Sequence, residues 1–292
     1  MILIAEAGAT KTDWVLVRGC SEIYKFRTRG LNLALVEDSD VDELLDELGK
    51  WQLLLAHDVL VLHFYSAGVV KGLTNEYFDL CLKKCFKNAE IFYESDLLAA
   101  SRALFGGSSG LVAILGTGSN SAYYLDGKII NNIRSGGYIL GDEGSAASLG
   151  RNFISDYIKG LLPESIQEDF ERKYQLDYSQ IVNNVYKKSN PSRFLASFAP
   201  YIFSLSEYPY IQELIRNNLS SFIERVILRY NCDLNIGVVG SFGYASSAYL
   251  LELGKKYNIN FVKFLSSPID ALVEYHIMGT SKNSPSLKFR NV

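Results

Sequence analysis

Four short stretches of this 292-residue chain carry residue types suited to phosphate and to polar hydroxyls. The first, Glu6-Ala7-Gly8-Ala9-Thr10-Lys11-Thr12, joins small residues that let backbone approach a ligand to hydroxyls and an amine that donate to anionic oxygens. Backbone amides in such turns form concave anion sites and a lysine adds a point charge, so phosphate is the natural guest. A plain hairpin turn of small residues is the competing reading, and the glycine-lysine-serine or threonine ending of a Walker loop is missing. The second stretch, Gly116-Thr117-Gly118-Ser119-Asn120-Ser121, repeats this chemistry. In the third, Gly237-Val238-Val239-Gly240-Ser241-Phe242-Gly243, an apolar run opens into a helical pattern, and its glycines let an adenine or ribose lie against backbone. Glycine at a strand-to-helix turn is also ordinary α/β punctuation. The fourth, Gly136-Gly137-Tyr138-Ile139-Leu140-Gly141-Asp142-Glu143-Gly144-Ser145, sets two carboxylates among glycines. Buried carboxylates need polar partners. Asp142 can accept from sugar hydroxyls, or Asp142 and Glu143 can offset the dipole of the helix that follows.

Asp96 falls between an apolar run and the helical Leu97-Leu98-Ala99-Ala100, at a strand end where α/β sites open. A carboxylate there can take the proton of a hydroxyl attacking a γ-phosphate, or it can cap the helix. Asn32, in Arg29-Gly30-Leu31-Asn32, can reach the same site or serve a turn. His57, His63 and His276 have no metal-ligand spacing, and Cys81 and Cys85, one helical turn apart, read as core residues.

The elements that must position these residues are legible in outline. Ile2 to Glu6 and Thr12 to Val17 read as a β-hairpin around the first turn, and Leu111 to Leu115 with Ser121 to Leu125 as a second one. Ile4, Gly8 and Ala9 match Ile114, Gly118 and Ser119 at a constant offset of 110 residues, which points to internal duplication. Between the hairpins the pattern predicts a helix starting at Ser39 to Asp42, a buried strand over Asp58 to Tyr65, a helix over Asn75 to Phe86, a strand over Ala89 to Tyr93 and a helix over Asp96 to Phe105. The chain is then helix-rich from Ser145 to Tyr230, with strands over Leu234 to Val239 and Asn260 to Phe264, a last helix over Pro268 to Ile277 and a frayed tail from Ser281. The linker-like Gly106-Gly107-Ser108-Ser109-Gly110 divides the chain into residues 1–106 and 107–292, the last helix being free to pack back on the first domain. The expected architecture is two α/β domains with a cleft between them.

Composition narrows the class. A net charge of −3 with interspersed signs implies neither a nucleic-acid nor a membrane-surface partner, and no apolar run reaches membrane-spanning length. Scattered cysteines, four in number, suit a reduced compartment. The N-terminus enters a core strand without a basic region, so no signal peptide is expected and a cytoplasmic location is.

Together these residues resemble the BadF-type ATPases, including N-acetylglucosamine kinase, within the sugar kinase and actin superfamily. Ala7 to Thr12 is similar to that family's first phosphate turn, Asp96 to its catalytic aspartate, Gly116 to Asn120 to its second phosphate turn, and Gly141 to Ser145 to its glycine-aspartate-glutamate-glycine-serine signature. The resemblance implies two ribonuclease H-like domains, an ATP and magnesium requirement, and phosphorylation of a hexosamine, N-acetylglucosamine to its 6-phosphate. It implies that Gly8, Ala9, Thr10, Lys11, Thr12, Gly116, Thr117 and Gly118 hold ATP phosphates, that Gly240 and Ser241 flank the adenosine, and that Asn32, Asp96, Ser119, Asn120, Gly136, Gly137 and Asp142 line the sugar site. Glu6 stands where the family has an aspartate that positions magnesium through water, and Gly136 where it has an aromatic residue. Homodimers are common in the family. Two other readings stay open: an ATPase of another substrate, though the redox-coupled ones need cluster-spaced cysteines absent here, and a sugar- or nucleotide-binding sensor with weak turnover.

Overall fold

The structure is a computed structural model that describes residues 1–8, 10–19, 21–33, 36–51, 59–69, 75–232 and 235–283. It divides into two compact units, Met1–Gly106 with Pro268–Val292, and Gly107–Ser267.

In the first unit, alternating apolar residues build β1 (Ile2–Ala7) and β2 (Lys11–Arg18), paired antiparallel as a hairpin. β3 (Ser21–Arg29) adds to β2 at the sheet edge. Sequence reasoning missed this strand because charged residues interrupt it and only Phe26 and Thr28 are buried; such charges suit an open edge. After α1 (Asp38–Gly49), β4 (Val61–Ser66) pairs parallel to β1. α2 (Glu76–Cys85) then leads to β5 (Glu90–Ser95), parallel to β4, and α3 (Asp96–Phe105) follows at once. The sheet order is β3-β2-β1-β4-β5. Cys81 is buried in its core and Cys85 half-buried, as expected for core residues.

The second unit repeats the plan. β6 (Gly110–Leu115) and β7 (Ser119–Leu125) form the hairpin, and β8 (Lys128–Asn131), a short edge strand also missed in the sequence, adds to β7. A helical insertion then buries an aromatic core around Phe153, Phe170, Phe198 and Phe222. It comprises α4 (Gly137–Leu140), α5 (Ala146–Ile158), α6 (Glu164–Tyr174), α7 (Tyr178–Tyr186), α8 (Pro191–Ala196), α9 (Ala199–Ser204) and α10 (Pro209–Arg225). β9 (Ile236–Val239), α11 (Ser241–Ala245), α12 (Ser247–Tyr257) and β10 (Phe261–Leu265) complete the unit, in the sheet order β10-β9-β6-β7-β8. Strand directions match those of the first sheet one for one, so the duplication is real at the level of topology. The constant offset of 110 residues is not. The last pair before the first turn is Ala7 with Thr12, enclosing residues 8–11, whereas Leu115 with Ser119 encloses only residues 116–118.

The last helix, α13 (Ile269–Asn283), belongs to the first unit. It runs beyond the expected end, so residues 281–283 are helical rather than tail. His276 stacks on His63 of β4 with ring centroids 4.0 Å apart, and His63 stacks in turn on Phe92. The Tyr65 hydroxyl accepts from Arg102 Nη1 at 2.6 Å and shares a 2.9 Å hydrogen bond with His276 Nε2, while Arg102 also pairs with Glu94. Among the described residues no helix is long and apolar enough to cross a membrane.

Candidate functional site

In the first unit the parallel strands end in one row, with Ala7 beside Ser66 and Ser66 beside Ser95. The first turn leaves that edge. The Gly8 N–H donates to Lys11 O at 2.9 Å and closes it, Thr10 is exposed beyond it, and Ala9 lies outside the described residues. The Lys11 ammonium sits 2.5 Å from Asp13 Oδ2, and Arg27 Nε donates to Asp13 Oδ1 at 2.7 Å. Burial pushes the Asp13 carboxyl up, but these two cations outweigh it and hold it below the usual carboxylate range. Thr12 is fully buried and its hydroxyl donates to Arg29 O at 2.8 Å, so it anchors the chain leaving β3. Glu6 lies directly across the hairpin from Asp13. Burial first, then the negative charges of Asp13 and Asp96, push its carboxyl up to about 7 against the pull of Lys11.

Asp96 follows the row of strand ends as the first residue of α3. It is not the cap: Ser95 Oγ accepts from the Leu98 N–H at 3.2 Å, while Asp96 Oδ1 accepts from the Leu97 N–H at 2.8 Å. Burial raises the Asp96 carboxyl above its ordinary value, and the backbone N–H bonds only partly offset this. A carboxylate with a raised value at a strand end has the proton affinity a general base needs. The segment after β3 lies along the same edge. Ser66 Oγ donates to Leu31 O at 3.0 Å and the Leu33 N–H donates to Ala67 O at 3.1 Å, which places the half-buried Asn32 beside these strand ends. A Cβ on Gly30 would lie 2.4 Å from Gly8 O, 2.6 Å from Lys11 N and 2.6 Å from the carbonyl carbon of Thr10. Gly30 is thus pressed against the first turn, a role its local sequence does not signal. Among the described residues no group of three or more His, Cys, Asp or Glu side chains is arranged to hold a metal ion unaided.

In the second unit three of the four stretches interlock. The Gly116 N–H donates to Gly118 O, and the first N–H groups of α5 donate to the turn, Ala146 to Gly116 O at 2.9 Å and Ala147 to Thr117 O at 3.0 Å. The Ser119 N–H donates to Asp142 Oδ1 at 3.2 Å, and a Cβ on Gly118 would lie 2.9 Å from Asp142 Oδ2. Asp142 is nearly buried, with a left-handed backbone at φ 54°. Burial raises its carboxyl, the Ser119 N–H and Ser135 hydroxyl partly offsetting it. Neither carboxylate caps the helix that follows: α5 is capped by Ser145 Oγ, which accepts from the Ser148 N–H, and Glu143 pairs with Arg225 at 2.6 Å. Gly136 and Gly137 adopt φ 76° and 72°, and Arg151 Nη1 holds α4, which Gly137 opens, by donating to Tyr138 O at 2.7 Å. Gly240, at φ 119°, packs on the second turn so closely that a Cβ would stand 2.3 Å from Leu115 O; the exposed Ser241 follows it. Asn120 Oδ1 accepts from the Ser121 N–H and from Asn132 Nδ2.

Sequence reasoning missed the supports beneath Asp142. Asn218 Nδ2 of α10 donates to Ser145 O at 3.1 Å, and a Cβ on Gly144 would lie 2.5 Å from that of Phe222, one turn further along. These contacts join residues more than seventy positions apart, and nothing local announces them.

No family model matches the chain, and no curated protein does. Solved structures do. The "putative N-acetylglucosamine kinase" of Porphyromonas gingivalis is 35% identical, with 96% of this chain and 100% of that one covered at a TM-score of 0.88. The protein of the same description from Chromobacterium violaceum is 17% identical over 94% of this chain and 98% of its own, at a TM-score of 0.73. A ROK-family glucokinase from Streptomyces griseus, solved with glucose and AMPPNP, is 14% identical over 94% and 97%, at a TM-score of 0.58. The last two are similar in fold alone.

Proposed function

Because this chain belongs to the sugar kinase and actin-like ATPase superfamily, we propose that it is a BadF-type kinase that transfers the γ-phosphoryl group of ATP to a hexosamine. Its substrate on this reading is N-acetylglucosamine and its product the 6-phosphate. The observation that carries the reading is the interlocked cluster of the second unit. Gly240 backs the Gly116–Gly118 turn at van der Waals limits, and the same turn's next N–H holds Asp142. That arrangement joins an adenosine-accepting glycine, a phosphate-binding turn and a sugar-binding carboxylate in one rigid piece. The 35% identity to the P. gingivalis protein supports the choice of sugar.

In this reading Thr10 and Thr117, with the backbone of Gly8, Ala9, Gly116 and Gly118, contact phosphate oxygens. Lys11 leaves Asp13 to meet them or remains its partner. Asn32, Ser119, Asn120, Gly136, Gly137 and Asp142 bind the sugar, and Asp96 takes the proton of the attacking hydroxyl. The oxygens of Glu6 suit a hard dication: burial first, then Asp13 and Asp96, raise its carboxyl, and the pull of Lys11 does not offset them. Glu6 would hold magnesium through its water shell, and the ion would supply charge neutralisation of the phosphates. The protein acts in the cytoplasm, and a homodimer is its proposed assembly. Initial rates of ADP release over a panel of sugars with MgATP test the reading. Release that depends on N-acetylglucosamine supports it. Sugar-independent release would identify an ATPase, and binding without release a sensor.

A further inference from the structure

We propose that residues 29–33 form a strap that couples sugar occupancy at Asn32 to the shape of the first phosphate turn, so that sugar tightens nucleotide binding. The inference rests on the function proposed above and goes beyond it to how the two ligands communicate within the first unit.

The strap is pinned at alternate residues. Arg29 O accepts from the Thr12 hydroxyl, and the Arg29 N–H donates to Glu47 Oε2 at 2.7 Å. Leu31 is buried and its carbonyl accepts from Ser66 Oγ; Leu33 is buried and its N–H donates to Ala67 O. Between these pins stand Gly30 and Asn32. Gly30 has no slack, because a Cβ there would fall 2.4 Å from Gly8 O and 2.6 Å from Lys11 N and the carbonyl carbon of Thr10, so that no side chain fits. A shift of Asn32 toward a sugar is therefore passed through one residue, Leu31, whose carbonyl is tethered to Ser66, into a contact with the phosphate turn itself. Backbone against backbone at this separation transmits displacement instead of absorbing it. The tether is what gives direction: Ser66 is wholly buried at the end of β4, in the same row as Ala7, where the first turn begins.

Coupling between two ligands is a free energy shared by both, and values of about 5- to 150-fold in affinity are typical. Titration calorimetry with AMPPNP, with and without saturating N-acetylglucosamine, reads it directly. The wild-type protein is expected to bind AMPPNP at least about fivefold more tightly with sugar present. In Ser66→Ala the factor is expected to fall below about twofold, while each ligand alone binds within about threefold of wild type. A merely structural role for Ser66 would weaken both ligands and leave their ratio intact. Gly30→Ala is the second variant: it is expected to weaken AMPPNP alone by about tenfold or more and to leave sugar alone within about threefold. A wild-type factor of one, or a wild-type factor preserved in Ser66→Ala, overturns the strap. Either result leaves the kinase reading untouched, since wild-type turnover of sugar is measured separately; absence of that turnover would sink the kinase reading by itself.

Discussion

Replacing His276 with glutamine should change how the first unit responds to acid. His276 of α13 lies against His63, Tyr65 and Arg102, and burial, then the neighbouring His63 and Arg102, lower its imidazole from 6.5 to about 3. A free imidazole takes a proton as pH falls below 6.5, whereas this one does not until pH approaches 3. The stability it contributes is therefore complete above pH 6.5 and is lost as pH falls, at about 1.4 kcal/mol per unit. Between pH 7 and pH 5 the loss is about 2 kcal/mol. Glu6 works in the opposite direction. Its carboxyl is raised from 4.5 to about 7, so it penalises the fold at neutral pH and gives back about 2 kcal/mol over the same interval. The two contributions offset in the wild-type protein, and only the difference between wild type and variant isolates the histidine. At pH 7 His276→Gln should be less stable by about 1 kcal/mol, the net value of a hydrogen bond. At pH 5 it should be more stable than wild type by about the same amount. Both tryptophans, Trp14 and Trp51, lie in the first unit, so urea unfolding followed by tryptophan fluorescence reports on that unit alone. A difference between the two proteins that stays constant from pH 7 to pH 5 refutes the reasoning.

Three further substitutions probe the site. Asp96→Asn should lower kcat at least about a hundredfold while calorimetric sugar binding is retained, the usual scale for loss of a general base. Asp142→Asn removes the charge from the carboxylate held by Ser119 and should raise KM for the sugar about tenfold or more, with nucleotide binding unchanged within about twofold. Gly240→Ala forces a Cβ toward Leu115 O at a φ of 119°, and should lower stability by about 1–3 kcal/mol and raise KM for ATP more than KM for sugar.

Both glycine hairpins were legible in the sequence because strand alternation stops abruptly at small residues, and the repetition of that signal exposed the duplicated topology. The register of the repeat was not, since a turn one residue longer in the first hairpin leaves no trace in composition. Asp96 at a strand end was readable from the apolar run before it, but ruling out the cap needed Ser95, whose hydroxyl takes that role. β3 and β8 escaped because edge strands bury little. The importance of Gly30 and Gly240 comes from backbone contacts with the two glycine turns, 20 and more than 100 residues away in sequence, which no local pattern encodes. The helix dipole was a reasonable use for Asp142 by spacing, but its contact with Ser119, 23 residues away, was not readable there.

The central claim is that a phosphoryl group ends on the sugar. Phosphorus NMR of a mixture of the protein, MgATP and N-acetylglucosamine reads this without any coupling enzyme. If the phosphoryl group ends there, a new phosphomonoester resonance grows in one-to-one proportion with ADP and is split by two methylene protons. Growth of inorganic phosphate alone, at the same rate with and without the sugar, would contradict it.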